Sequence, residues 1–256
     1  MVGNNFAQLH SNIFEKQLLF MNRQRILALS SSRVGNSAYL EMATPVINSF
    51  LGEGSKRIAF IPFASVDSYD NYAWKVKEGL SSLPHIIKTI TTDNAKEIIE
   101  SSDVIMIGGG NTFKLLHDLY EMDLVEIIKT KVQSGTPYIG WSAGANLTGA
   151  TICTTNDMPI VQPKSFAAFG FFPFQINPHY YNILMDGFNG ETRDQRLEEF
   201  LKLNPCKKIL CLPEGTYLEL QNGELMFDGV AQGVSMTREE GQTIHRIIHP
   251  GTINFF

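Results

Sequence analysis

The residues most suggestive of chemistry lie in one short stretch, residues 138–149, which read YIGWSAGANLTG. Ser142 stands in Gly140-Trp141-Ser142-Ala143-Gly144, where a short buried strand ending at Trp141 would turn into a helix opening at Ala143. A serine forced onto that turn carries its hydroxyl above a sheet, beside the helix's free N–H groups. The arrangement suits acyl transfer, because a nucleophile and donors for a developing oxyanion stand side by side. Many glycine-rich bends share the pattern, so a hydrolytic reading needs its other parts from elsewhere in the chain.

Serine attacks only when a base accepts its proton, and histidine is the natural base near neutral pH. The chain holds six histidines. His10 is near the start, His85 beside an apolar run, His117 on a helical stretch, and His245 and His249 around the last strand. His179, in Ile176-Asn177-Pro178-His179-Tyr180, follows the apolar run 171–174 in an irregular segment. The fixed φ of Pro178 favours a held imidazole there. Two acids could orient that base. Glu214 follows the apolar run 209–213, which reads as a central strand delivering the acid to the edge where sites form. Asp157, in Thr155-Asn156-Asp157-Met158-Pro159, also suits a loop cap. The α/β-hydrolase order of serine, acid, histidine selects Asp157; the order Ser142, His179, Glu214 requires a different fold. Spacing alone leaves both open.

Gly108-Gly109-Gly110-Asn111 ends another apolar run, and glycines there allow close backbone approach to a ligand. Gly110 and Ala143 could supply two backbone N–H groups to an oxyanion. The run lacks the Gly-x-Gly-x-x-Gly spacing of dinucleotide sites, and neither a Walker Lys nor a His-Glu-x-x-His pair occurs. The expectation is a site with no cofactor and no metal.

These residues need a frame. Residues 25–30 (RILALS), 57–62 (RIAFIP), 85–90, 103–107 (DVIMI), 138–141 and 208–212 (KILCL) read as strands. Helical patterns fall at 39–51, near 72–80, over 113–131 and at 191–203. Buried strands alternating with helices predict a three-layer, open, mostly parallel α/β sheet with sites at its carboxyl edge. Residues 151–190 look loop-rich. Residues 216–247 look like antiparallel strands turning at Asn222-Gly223 and Glu240-Gly241. The expected organisation is an amino-terminal extension, 1–22, with Met21 as an alternative start, and a single catalytic domain, 23–256.

Composition excludes several classes. Hydrophobic residues make up 43% and charged residues 18%, as in a water-soluble globule, and the formal charge is −5. No basic stripe points to nucleic acid, and no apolar run is long enough to cross a membrane. Cys153, Cys206 and Cys211 form no Cys-x-x-Cys pair, which fits a reducing, cytoplasmic setting.

With IGGGNTFKLL, YIGWSAGANLTG, TTNDMPIV, FGFFPFQINPHY, GETRDQR and LPEG in order, the sequence resembles the peptidase E family, serine aspartyl dipeptidases that also include cyanophycin-degrading enzymes. The resemblance runs from about Arg25 to the region of Glu214 and favours the dipeptidase branch. It implies a Ser142-His179-Glu214 triad, an oxyanion hole at Gly110 and Ala143, and a fold like the class I glutamine amidotransferases, which are flavodoxin-like. It also implies intracellular removal of an amino-terminal aspartate from small peptides, and ties the Asp157 position to substrate selection. Asp-X recognition needs a partner for the α-amino group, which suits Asp157, and one for the β-carboxylate, which suits a bidentate Arg193. The residues alone also fit a serine esterase or amidase of other specificity, or a noncatalytic small-molecule-binding protein on the same fold. Oligomeric state is not encoded in any motif here.

Overall fold

The structure, a computed structural model, describes residues 23–183, 187 and 189–253. The expected extension 1–22 lies outside the described residues. Five of the expected strand segments become parallel strands: β1 (Ile26–Leu29), β2 (Arg57–Ile61), β3 (Ile86–Thr89), β4 (Val104–Ile107) and β5 (Tyr138–Trp141). Helices α1 (Ala43–Leu51), α2 (Tyr69–Gly79), α3 (Ala95–Ser101), α4 (Thr112–Glu121) and α5 (Val125–Gln133) connect them, and a four-residue helix, α6 (Ala143–Asn146), follows β5. Next come β6 (Gln175–Asn177), α7 (Arg193–Leu203), β7 (Ile209–Cys211), β8 (Thr216–Gln221), β9 (Glu224–Gly229), β10 (Gly233–Glu239), β11 (Gln242–Ile248) and β12 (Gly251–Thr252).

Eight of these strands form the main sheet, in the order β12-β9-β8-β1-β5-β4-β2-β3. Strands β1 to β5 are mutually parallel, while β8 joins β1 antiparallel, with Ile26 opposite Leu220, and β9 and β12 continue that way. The period-two alternation of a strand separates two apolar faces. Ile26, Ala28, Ile61, Ile105, Ile107 and Tyr138 face α3 to α5 and the 169–176 segment. Leu27, Leu29, Phe60, Met106, Ile139 and Trp141 face α1 and α2. The result is the expected three-layer α/β fold, mostly parallel, with an antiparallel carboxyl-terminal part. Both expected hairpin turns form, with positive φ at Asn222 and Gly223 and at Glu240 and Gly241, the backbone that two-residue turns require.

Two expectations are corrected. Within the loop-rich 151–190 region, Gln175–Asn177 is a strand, although only its middle residue is apolar. Its polar side chains are buried and bonded: Gln175 Nε2 donates to Thr151 Oγ1 at 2.8 Å and Asn177 Nδ2 to the Thr154 carbonyl at 2.7 Å. The run before Glu214 is not a central strand. With β8 occupying the edge of β1, β7 instead pairs parallel with β6 in a second sheet, ordered β11-β10-β7-β6. That sheet is covered on both sides, Leu210 facing the main core while Ile209 and Cys211 pack against Leu197 and Leu201 of α7. Helix boundaries shift by a few residues. Ser68 caps α2 by accepting the Asn71 N–H, so that helix starts earlier, at Tyr69, and Asp123, with φ 54°, separates α4 from α5. Among the described residues, no helix is long and apolar enough to cross a membrane.

Candidate active site

Because β1, β4 and β5 are neighbours and parallel, their carboxyl ends deliver Ser30, Gly108 and Ser142 to one edge of the sheet. A cavity of about 540 Å³ opens there, lined among others by Gly109, Gly110, Ser142 and His179. Ser142 has φ 53° and ψ −112°, a strained backbone for a residue with a side chain. The turn is tight. A Cβ at Gly144 would lie 2.3 Å from the Ile107 carbonyl oxygen, and one at Gly109 would lie 2.8 Å from Ser142 Cβ. The small residues flanking Ser142 are therefore a packing requirement. Ser142 is the N-cap of α6 yet spends no side-chain bond on it, leaving its hydroxyl available.

His179 leaves β6 with φ 51°, a left-handed backbone that histidine tolerates better than most residues. Its Nδ1 lies 2.9 Å from Glu214 Oε1. The two side chains are 39% and 53% exposed, so the pair sits at the mouth of the cleft with the other imidazole nitrogen left over. Among the described residues neither the Ser142 hydroxyl nor His179 Nε2 is hydrogen bonded.

Of the two expected oxyanion donors, Gly110 lines the same cleft and Ala143 directly follows Ser142, which lines it. Ala143 opens α6, so its N–H has no intrahelical partner. Gly110 lies between two committed neighbours: the Gly108 N–H bonds the Ile61 carbonyl and the Asn111 N–H bonds that of Ala64. With φ 139°, and a Cβ position only 2.3 Å from the Ala64 oxygen, residue 110 has to be glycine.

Asp157 and Arg193 are placed differently. Asp157 Oδ2 accepts the Thr112 N–H at 2.7 Å and the Thr155 hydroxyl at 3.2 Å, capping the start of α4 immediately after Asn111. It thus performs the capping role while sitting next to the cleft, with Oδ1 uncommitted among the described residues. Arg193 begins α7, its guanidinium 4.9 Å from the ring centre of Tyr181. Its Nη1 is buried without a hydrogen-bond partner among the described residues. Neither residue lines the cavity that holds Ser142.

Three residues hold the site together that the sequence did not single out for it, Asp194 reading there only as an acid favoured at a helix start. Ser30, fully buried, donates to the Leu212 carbonyl at 2.7 Å and accepts the His179 N–H at 2.9 Å, tying the segments of His179 and Glu214 to β1. Asp194 accepts the Tyr180 hydroxyl at 2.7 Å and Asn182 Nδ2 at 2.6 Å, fastening the residues after His179 to α7. Burial, with Asp194 beside it, pushes the Tyr180 phenol up, so it remains a donor. Tyr72 donates to the Gly109 carbonyl at 2.9 Å. The strand-end position of Ser30 was the only sequence signal for any of them.

A serine on a strained strand-to-helix turn, a carboxylate-braced imidazole and the Gly110 and Ala143 amides, unbonded among the described residues, are parts that acyl-transfer hydrolysis uses. Comparison with known proteins narrows the class. Residues 26–227 match the model of peptidase family S51, and the chain belongs to that family. It is 50% identical over 203 residues to the peptidase E of Haemophilus influenzae, covering 78% of this chain and 93% of that one. It is 45% identical over 235 residues to the peptidase E of Actinobacillus pleuropneumoniae serotype 5b, covering 91% and 100%. A crystal structure of a candidate peptidase E protein from Listeria monocytogenes shares the fold, with a TM-score of 0.65 at 21% identity over 81% of this chain and 99% of that one. A peptidase from an acI-B1 actinobacterium does so with a TM-score of 0.62 at 17% identity, over 91% and 97%. The chain is a peptidase of the hydrolase class.

Proposed function

We propose that this peptidase is a serine dipeptidase that hydrolyses dipeptides with an amino-terminal L-aspartate, through an acyl-enzyme on Ser142. The observation that carries the reading is the 2.9 Å bond from His179 to Glu214, in a cleft that also holds Ser142. His179 Nε2 takes the Ser142 proton as Oγ bonds to the Asp-X carbonyl carbon. Glu214 fixes the imidazole's orientation and stabilises its charged form. The Gly110 and Ala143 amides take up the oxyanion. As the C–N bond breaks, His179 passes the proton to the leaving amine. Water, deprotonated by the same imidazole, then attacks the ester, and aspartate departs as the proton returns to Ser142.

Aspartate selection rests on Asp157 for the α-amino group, through its uncommitted Oδ1, and on Arg193 for the β-carboxylate, through its unpartnered Nη1. A free dipeptide substrate, a cytoplasmic setting and a single catalytic domain complete the reading.

Free-amine release from Asp-Leu, Glu-Leu, Asn-Leu and Ala-Leu by wild-type and Ser142→Ala protein tests it. Cleavage confined mainly to Asp-Leu and lost in the variant supports the reading. Serine-dependent cleavage of aryl esters without Asp-Leu turnover would instead mark an esterase. No serine-dependent cleavage of either kind would mark a binding protein. Arg193→Met should lower kcat/KM for Asp-Leu more than for Ala-Leu; an equal effect removes it from the carboxylate site.

A further inference from the structure

The Gly109–Gly110 peptide unit has unusual freedom. Neither residue has a Cβ, Gly110 has φ 139°, and glycine dihedrals rotate at little steric cost. The backbone bonds of the loop lie on either side of it, from the Gly108 N–H to Ile61 at 3.1 Å and from the Asn111 N–H to Ala64 at 2.8 Å. What grips the unit itself is a side chain that lines the same cleft. The hydroxyl of Tyr72, on α2, donates to the Gly109 oxygen at 2.9 Å.

A trans peptide is planar, and its C=O and N–H point in opposite directions. No peptide bond among the described residues is cis. Holding the Gly109 oxygen therefore also fixes the direction of the Gly110 N–H. We infer that Tyr72 is a positioning residue that aims the Gly110 amide at the oxyanion by pinning the Gly109 carbonyl. The inference rests on the acyl-transfer reading of this cleft.

The surroundings are built for such a grip. A Cβ at residue 108 would lie 2.2 Å from the Tyr72 oxygen, so glycine is what lets the phenol approach the loop. The Tyr72 ring packs edge-on against Phe60 at 5.3 Å and Tyr39 at 6.4 Å, and Phe60 in turn stacks on Trp141 at 6.1 Å, one residue before Ser142. One aromatic nest thus backs both the glycine loop and the serine turn. Burial, with Tyr39 alongside, pushes the Tyr72 phenol well above its ordinary value, so the hydroxyl keeps the proton it donates.

The test is Tyr72→Phe, which removes one oxygen and keeps the ring. A donor that is misaimed rather than deleted should cost about 10- to 100-fold in kcat for Asp-Leu. KM should change little, because the interaction belongs to the transition state. The α-aldehyde analogue of aspartate forms a hemiacetal on Ser142 and places an oxygen in the same hole. Its inhibition should weaken by the factor lost in kcat, whereas product inhibition by aspartate should not move. Gly108→Ala displaces the phenol by another route and should reproduce this selective loss. Undiminished kcat in folded Tyr72→Phe alongside an active wild type overturns the inference alone, as does equal weakening of aldehyde and aspartate. Absence of Ser142-dependent turnover in the wild type overturns the acyl-transfer reading and the inference together.

Discussion

Removing the Ser30 hydroxyl should damage stability and turnover together, and the structure allows the size to be worked out. Ser30 Oγ is the partner of the His179 N–H, at 2.9 Å, and donates to the Leu212 carbonyl at 2.7 Å. In Ser30→Ala the Leu212 oxygen keeps its second donor, the Tyr180 N–H at 2.9 Å, so its loss is small. The His179 N–H is left without a partner. An orphaned buried donor costs about 1–3 kcal/mol, and the middle of that range, about 2 kcal/mol, is the expected loss. For a chain of this size it corresponds to a fall in Tm of about 4–8 °C. His179 also holds a left-handed backbone, φ 51°, which costs roughly 1–2 kcal/mol wherever its surroundings do not enforce it. Freed from Ser30, the residue relaxes toward negative φ, and its imidazole swings away from Glu214. A displacement of that order should lower kcat/KM by about 10- to 100-fold. Urea unfolding followed by tryptophan fluorescence, together with Asp-Leu kinetics on the same preparation, measures both. A variant within about 0.5 kcal/mol of wild type, the scatter of neutral surface changes, and with unaltered kcat/KM would show that Ser30 does not hold His179 in place.

Two further outcomes follow from the same geometry. Glu214→Gln should lower kcat for Asp-Leu by at least about tenfold; because this acid is half exposed, the loss should stop short of the about 10⁴-fold seen for a buried triad acid. An unchanged kcat would remove Glu214 from the proposed triad. In β8, burial raises the carboxyl pKa of Glu219, with Asp228 adding to the effect and Arg25 opposing it. A raised acid means that the fold penalises the charged form, so the penalty is present at neutral pH and disappears below the unfolded value. Glu219→Gln should therefore raise the unfolding free energy at pH 7, by roughly 0.5 kcal/mol or less once solvent screening is allowed for, with the gain gone below about pH 4. A gain that persists in acid would point to packing instead of charge.

The parallel sheet was legible because strands buried on both faces read as unbroken apolar runs, as in ILAL, RIAFI and VIMI. The serine turn was legible because close packing of Gly109 and Gly144 against neighbouring atoms demands small residues. Strand β6 was not, because Gln175 and Asn177 satisfy their polar groups through Thr151 and Thr154, distant partners that a local pattern does not show. The same limit hid the second sheet. The run KILCL predicts a strand, but its sheet is decided by β8 having taken the edge of β1. Asp157 was read both as a cap and as a ligand group, and its bond to the Thr112 N–H shows the cap directly. Ser30 and Tyr72 bond backbone atoms far away in sequence through single hydroxyls, and apart from the strand-end position of Ser30 nothing in the flanking residues distinguishes them from structural serine and tyrosine.

The proposed hydrolysis requires a covalent bond to Ser142, and the most direct measurement is the mass of the protein quenched in acid during turnover of Asp-Leu. The expected result is a fraction carrying one aspartyl group, mapped to the peptide containing Ser142 and absent from Ser142→Ala. An aspartyl group on another residue, or Asp-Leu turnover by Ser142→Ala at the wild-type rate, would contradict it.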